Sequence, residues 1–419
     1  MADAAQGEAR VSLRRLVGWG LIGQVSYVIS QFLLLVALAR YASVADVGRF
    51  GLVSAITLPI YWFFNLGIRA NQATDTQGTY RFNEFLLLRI LASVVAYGLI
   101  VLLAFTAVDP AARTVMLVFG AAKGVETYSE MCYGAFQRAD RMSAVATSLI
   151  LRGFGGTALF WVVIVQTGST SAAYGGLLLA WVVVAGGLDL VRALRMARAA
   201  GDNGPVRPDV VVQLAITSLP LAFNALLAAL QGATPRYVIG HLLGLVALGH
   251  FTIVGYAMQA VTTIVAAISE SIMARLAHYA KIGNRQAFQR VLNRFVLLSW
   301  LAALAGALVM LAIGNWLLVL IFGAEYSGQG SLLALVMVAA GAIASSTIVQ
   351  SGLLATRNFK RILWIRLITF TAQLIGAVIG AQTLGLHGVV LGMIVATLLQ
   401  FGLIWSALRR LPFDTEVRS

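Results

Sequence analysis

The stretch FVLLSWLAALAGALVMLAIGNWLLVLI, Phe295–Ile321, runs for 27 residues without one charged side chain. A bilayer's hydrocarbon core is ~30 Å thick, and a helix needs roughly 20 mostly apolar residues to cross it. Eleven more stretches of this kind lie near 16–39, 50–71, 83–106, 112–135, 143–166, 172–194, 209–232, 246–269, 331–354, 362–384 and 386–408. They predict an all-α polytopic membrane protein of about twelve transmembrane helices. The composition agrees, with 60% hydrophobic and 11% charged residues in 419, far from a soluble composition. The connections are too short for a separate catalytic domain. A chain made almost wholly of spans either moves something across a membrane or acts on something held in it.

The formal net charge of +14 does not mark a nucleic-acid binder, because the charges sort by side of the membrane. With the N-terminus inside, the inner segments hold Arg81, Arg138, Arg141, Arg192, Arg195, Arg198, Arg207, Arg275, Lys281, Arg285, Arg290 and Arg294 among others. The outer segments hold Arg40, Arg49, Arg113 and Arg236. This asymmetry sets orientation and predicts an even number of spans with both termini cytoplasmic. The N-terminal tail is polar and the first apolar stretch is full length, which reads as an uncleaved first helix. The single cysteine, Cys132, falls within a span, so no disulfide framework or cysteine-based metal site is expected.

The segment 195–208 carries Gly201, Gly204, Pro205 and Pro208 and lies near the midpoint. It is expected to be a cytoplasmic linker between an N-lobe at 16–194 and a C-lobe at 209–408, with tails at 1–15 and 409–419. A weak repeat supports two six-span lobes. Arg40-Tyr41 precedes Gly48-Arg49-Phe50, and Arg236-Tyr237 precedes Gly249-His250-Phe251. An even number of spans per lobe makes the repeat parallel, about an axis along the membrane normal.

Polar residues recur at helical spacing within spans. Span one has Gln24, Tyr27 and Gln31; span two has Thr57, Tyr61, Asn65 and Arg69. Span seven has Thr217, Asn224 and Gln231; span eight has Tyr256, Gln259, Thr263 and Glu270. Hydrocarbon offers no hydrogen-bond partner, so such residues face other helices or a wet cavity. Bonding between helices within each lobe accounts for them, and so does a shared hydrophilic cavity lined by spans one, two, seven and eight. Arg89, Lys123 and Arg152 lie within or near the ends of spans, and a charge at mid-span costs about 2.5–3.5 kcal/mol. Span four sets Lys123, Glu126, Glu130 and Gln137 on one face. This is either a structural ion pair with a spare carboxylate or a network that exchanges protons. The four histidines are scattered, and neither a nucleotide-binding loop nor a metal-ligand motif is present, so no cofactor, no metal site and no enzyme are expected.

Several segments resemble Wzx-type polysaccharide flippases of the multidrug/oligosaccharidyl-lipid/polysaccharide exporter superfamily. They are LARYASVADVGRFGLVSAI (Leu38–Ile56), FFNLGIRANQATD (Phe63–Asp75), KGVETYSEMCYGAFQRADRM (Lys123–Met142) and LILRGFGG (Leu149–Gly156). PRYVIGHLLGLVALGHFTIVGYAMQAV (Pro235–Val261) and LIFGAEYSGQG (Leu320–Gly330) are similar to the corresponding connections of the second half. The resemblance covers nearly the whole chain. It implies two six-helix lobes around a cationic cavity in the bacterial inner membrane. It also implies alternating-access flipping of undecaprenyl-diphosphate-linked oligosaccharide, for surface or exopolysaccharide synthesis.

Such a task needs cations for the diphosphate, and the candidates are Arg69, Lys123, Arg152 and Arg236. Arg69 also fits a positive-inside anchor, and Arg236 a snorkelling span end. Gln24, Tyr27, Gln31, Tyr61, Asn65, Asn224, Gln231, Tyr256 and Gln259 are the candidates to meet sugar. Glu126 and Glu130 are the candidates for a coupling proton or sodium ion. Membrane lipids, a polysaccharide polymerase and a chain-length regulator are the expected partners, with no nucleic acid. Two other classes share these features: a cation-coupled small-molecule or multidrug antiporter, and a membrane-embedded polysaccharide polymerase or ligase. Span one lacks the acid common in multidrug exporters, and twelve spans differ from the fourteen usual in lipid II flippases.

Overall fold

The structure, a computed structural model, describes residues 13–75, 77–356 and 359–410; the greater part of both expected tails lies outside them. The described residues form helices and no strand. In chain order these are α1 (Leu13–Tyr41), α2 (Val44–Phe64), α3 (Ile68–Thr74), α4 (Phe82–Thr106), α5 (Pro110–Arg138), α6 (Met142–Thr167) and α7 (Thr170–Val182). A π-helical segment (Val183–Leu190) joins α7 to α8 (Val191–Ala199). Then follow α9 (Pro208–Leu242), α10 (Gly244–Lys281), α11 (Arg285–Phe322), α12 (Gly330–Ala355) and α13 (Phe359–Arg409). Helices satisfy every backbone group internally, as hydrocarbon demands. Local chemistry sets their ends. Asp109 accepts from the Ala112 N–H with Pro110 just inside α5, and Ser169 and Asn284 cap α7 and α11 in the same way.

Ten helical stretches among the described residues are long and apolar enough to cross a membrane. Two features separate ten from the expected twelve. α5 is 29 residues long but carries Lys123, Glu126 and Glu130 in its middle, so it does not count as apolar. α13 spans 51 residues yet bends at Gly385, with φ 59° and ψ −135°, between the expected spans 362–384 and 386–408. Past that bend the two arms run side by side. A Cβ added at Gly376 would come within 3.2 Å of Gly392 Cα, and one at Gly388 would strike the Gly380 carbonyl. Small residues allow this close backbone approach where lipid removes the hydrophobic drive between helices.

The helices pack into two compact units, one of residues up to 41 with 57–226, the other of 42–56 with residues from 227 on. The expected linker 195–208 lies inside the first unit. It is tied there by Arg81 donating to the Pro205 carbonyl (2.7 Å), Asn83 to the Asn203 carbonyl (3.0 Å), and an Arg138–Asp202 ion pair. The core of the first unit gathers Ile68, Phe82, Phe85, Met131, Tyr133 and Phe136, all buried. In the second unit α12 is the most enclosed helix; Gly341 meets Ala303 of α11, and Gly352 packs against Leu292 and Phe288.

Replacing Gly388 with Ala is expected to lower the detergent-solubilised protein's unfolding free energy by about 1–3 kcal/mol, through overpacking. Gly402→Ala, where a Cβ meets nothing within 4 Å, is the control and is expected to be neutral or mildly stabilising. Equal thermal-unfolding midpoints for both variants would remove the close-packed hairpin.

Candidate functional site

Three local arrangements bring the charged residues of the first unit together. α1 and α6 approach through small residues: a Cβ on Gly23 would lie 2.7 Å from Ala146 Cα, and one on Gly153 would lie 2.5 Å from Ser30 Oγ. Thr157 Oγ1 donates to the Ser30 carbonyl at 2.9 Å. This seam places Tyr27 of α1 against Arg152 of α6. Next, α2 ends where Leu66 and Gly67 take left-handed conformations, with φ 51° and 58°. The buried Arg89 guanidinium closes that end, donating to the Phe64 carbonyl (3.2 Å), the Asn65 carbonyl (3.0 Å) and Asn65 Oδ1 (2.7 Å). A cation at a helix C-terminus satisfies open carbonyls and meets the favourable end of the dipole. The chain then restarts as α3, which lies against α5 because Gly134 lacks a side chain; a Cβ there would sit 2.9 Å from the Arg69 carbonyl. Arg69 thereby reaches α5.

The result is one connected charge cluster. Glu126 Oε2 accepts from Lys123 Nζ at 2.6 Å. Its Oε1 accepts from Tyr27 OH at 2.7 Å and from Arg152 Nη2 at 3.1 Å. Arg152 Nη2 also lies 3.9 Å from Glu130 Oε1. Glu130 Oε2 accepts from Arg69 Nη1 at 2.8 Å, and Arg69 Nε donates to Gln137 Oε1 at 3.1 Å. Three cations against two carboxylates leave one net positive charge. Side-chain exposure is lowest in the middle of the cluster, 0% at Arg152, and rises to 15% at Lys123 on one end and 33% at Arg69 on the other. The Arg69 end is therefore the reachable end.

Aromatic faces wall the cations. Arg152 lies 5.1 Å from the Tyr27 ring centroid, 5.4 Å from Trp181 and 5.8 Å from Tyr133. Lys123 lies 5.1 Å from Trp181, and Arg69 5.3 Å from Tyr133. These ring faces attract cations without neutralising them. Behind Tyr133 runs a buried hydroxyl chain. Its OH pairs with Ser148 Oγ at 2.7 Å, and Ser148 donates to Asp189 Oδ2, in the π-helical segment, at 2.6 Å.

Of the four cations expected to meet a diphosphate, Arg69, Lys123 and Arg152 thus share one cluster with Glu126 and Glu130. Arg236 belongs to the second unit, half-buried on α9 and close enough to Tyr256 of α10 to interact electrostatically. The expected sugar-facing residues divide. Gln24, Asn224 and Gln259 are exposed. Gln31 is half-buried, and its amide nitrogen has no hydrogen-bond partner. Tyr61 is 5% exposed and donates to the Gly120 carbonyl at 2.8 Å, while Asn65 serves Arg89. In the second unit Gln231 donates to Gln400 Oε1 at 3.1 Å, and its carbonyl accepts from Gln373 at 2.8 Å. The side chain of Glu270 lies outside the described residues. Sequence reasoning did not single out Asp189, Trp181, Gln373 or Gln400. For Asp189 the available signal was a lone acid at the end of an apolar run; for the glutamines there was none beyond polarity. No group of three or more His, Cys, Asp or Glu side chains able to hold a metal occurs among the described residues.

The cluster's three cations are held by two carboxylates, with one positive charge in excess. Its position depends on the α2–α3 break. Arg89→Met is expected to lower unfolding free energy by about 1.5–3 kcal/mol, the range for hydrogen bonds to a charged group. An unchanged denaturation profile in detergent would show that Arg89 does not secure the break.

No family model matches the chain. The capsular polysaccharide biosynthesis protein CapF of Staphylococcus aureus is 21% identical over 339 residues, which are 79% of this chain and 84% of CapF. Among solved structures, the lipid II flippase MurJ in an inward closed conformation aligns with a TM-score of 0.67 at 12% identity, over 94% of this chain and 88% of MurJ. A mutant of the Vibrio cholerae MATE transporter VcmN aligns with a TM-score of 0.64 at 15% identity, over 95% and 97%. The resemblance read from the sequence is thus matched by a capsular polysaccharide protein in sequence and by MATE and MurJ structures in fold. The chain is an all-α, multi-pass membrane protein with the fold that MATE transporters and the flippase MurJ share.

Proposed function

We propose that this protein flips undecaprenyl-diphosphate-linked oligosaccharide from the cytoplasmic to the periplasmic leaflet of a bacterial inner membrane, with both its termini cytoplasmic. The observation that carries the reading is the Arg69–Glu130–Arg152–Glu126–Lys123 cluster. Supporting it are the resemblance in sequence to a capsular polysaccharide protein and the fold shared with a lipid II flippase. The isoprenoid tail of such a substrate can stay in lipid, whereas its diphosphate and sugars cannot. A diphosphate brings about two negative charges and takes planar bidentate contacts from arginine and a point contact from lysine. Arg69, the most exposed of the three cations, meets it first. Lys123 and Arg152 follow as the diphosphate replaces Glu126 and Glu130. Tyr27 and the neutral amides of Gln24, Gln31, Asn224, Gln231 and Gln259 supply partners for sugar hydroxyls.

The flipping cycle is one of alternating access, driven by a cation gradient. An inside-negative potential favours outward passage of an anion by about 2.3 kcal/mol per charge per 100 mV. A glutamate that surrenders its cation to the diphosphate becomes a site for a proton or sodium ion, because an unpaired carboxylate at this depth is costly. Glu126 and Glu130 are therefore the coupling candidates. Replacing each by Gln, singly and together, is expected to change the pH dependence of flipping; an unchanged profile removes them from coupling.

The direct test is deletion and complementation in the native host. Lipid-linked units confined to the inner leaflet support flipping. Flipped single units that fail to polymerise would instead indicate a polymerase or ligase. Drug resistance conferred by expression, with polysaccharide intact after deletion, would indicate an antiporter. Arg152→Gln and Lys123→Gln are expected to cut surface polysaccharide, normalised to membrane abundance, by roughly tenfold or more, the cost of losing one charge-assisted contact. Lys123→Arg is expected to retain most activity.

A further inference from the structure

A second concentration of positive charge lies in the first unit, apart from the cluster. Arg141, at the start of α6, and Arg192 and Arg195, one turn apart on α8, line a cavity of ≈ 410 Å³ together with Ser143, Phe136 and Met196. All three arginines are exposed, and none is in an ion pair among the described residues. Neighbouring arginines behave differently. Arg138 pairs with Asp202 and lies 4.0 Å from Asp75, and Arg207 pairs with Glu84 at 2.6 Å. Arg192 has only a buried carboxylate nearby, that of Asp189, close enough to feel its charge. Arg138 and Arg207 are thus held in ion pairs, whereas the three arginines that line the cavity make none among the described residues.

We propose that this cavity is a binding site for the phosphate head group of an anionic phospholipid. Three guanidiniums offer forked donors to phosphate oxygens, and basic pockets between membrane helices suit such head groups. The mixed lining favours a lipid over a free ion. The half-buried Ala144 and Met196 form an apolar side, and exposed apolar residues continue at Leu151 (47%) and Phe154 (40%) on α6 and at Val183 (61%) in the π-helical segment before α8. An acyl chain has a surface to follow there, which inorganic phosphate does not need. The Ser143 hydroxyl adds a further donor. None of these residues belongs to the charge cluster, so the site stands or fails independently of the flipping reading.

The test is native mass spectrometry of the purified full-length protein, titrated with cardiolipin, phosphatidylglycerol, phosphatidylcholine or inorganic phosphate. The wild type is expected to retain phosphatidylglycerol or cardiolipin roughly tenfold better than phosphatidylcholine, as expected for several Arg contacts. The combined variant Arg141→Gln, Arg192→Gln, Arg195→Gln is expected to lose that preference, and the matching Arg→Lys variant to keep most of it. Should the combined Gln variant not purify, single Arg195→Gln and Arg192→Gln carry the comparison, each with a partial loss. An undiminished preference in the Gln variants overturns the proposal. Inorganic phosphate competing as tightly as phosphatidylglycerol also overturns it, because the site would then recognise a free anion.

Discussion

The Glu126 carboxylate holds the two most buried cations of the charge cluster in place. It takes Lys123 on one oxygen and shares the other between Tyr27 and Arg152. Each of those charges alone would cost several kcal/mol inside a membrane. Together they are tolerated because every charge has a hydrogen-bonded partner and the cations also rest on ring faces. The arrangement demands that α1 lie against α6 and α3 against α5; the small residues Gly23 and Gly153 permit the first approach and Gly134 the second. Helix packing, helix breaking and charge pairing in this unit are thus parts of one constraint.

The two units solve the problem of buried polarity differently. Among the described residues, the first pairs full charges, while the second bonds neutral amides, Gln231 donating to Gln400 and accepting on its carbonyl from Gln373. Charges answer to phosphate, whereas amides answer to hydroxyls. A substrate carrying both groups is matched by a protein that carries both kinds of partner, which is the chemical logic of the flipping proposal. The arginines that line the cavity at α6 and α8 add a third category, exposed cations with no ion pair among the described residues.

Much of the fold was legible because membrane spans announce themselves by length and hydropathy. Twelve spans were expected, and they return once charged α5 is admitted and α13 is divided at Gly385. The face of α5 was also legible, since Lys123, Glu126 and Glu130 lie three and four residues apart. Sequence could not pair Arg152 with Glu126 or Arg69 with Glu130, because those contacts join residues 26 and 61 positions apart. Nor could it separate Tyr61, which packs against the α5 backbone, from Tyr27, which joins the cluster. Both are tyrosines at helical spacing, and only the path of the neighbouring helix distinguishes them. Asp189 stayed hidden because a single acid near a span end looks like a boundary residue, whereas its burial comes from Ser148 and the π-helical segment.

The central claim is that the charge cluster recognises a lipid-linked diphosphate, and equilibrium binding of defined lipids to the purified protein tests it most directly. Undecaprenyl diphosphate should bind at least about tenfold more tightly than uncharged undecaprenol, as expected for charge-assisted contacts. That difference should vanish when Arg69, Lys123 and Arg152 are replaced together by glutamine in protein that still folds. Equal affinity for the two lipids, or a preference that survives the triple replacement, would contradict the account.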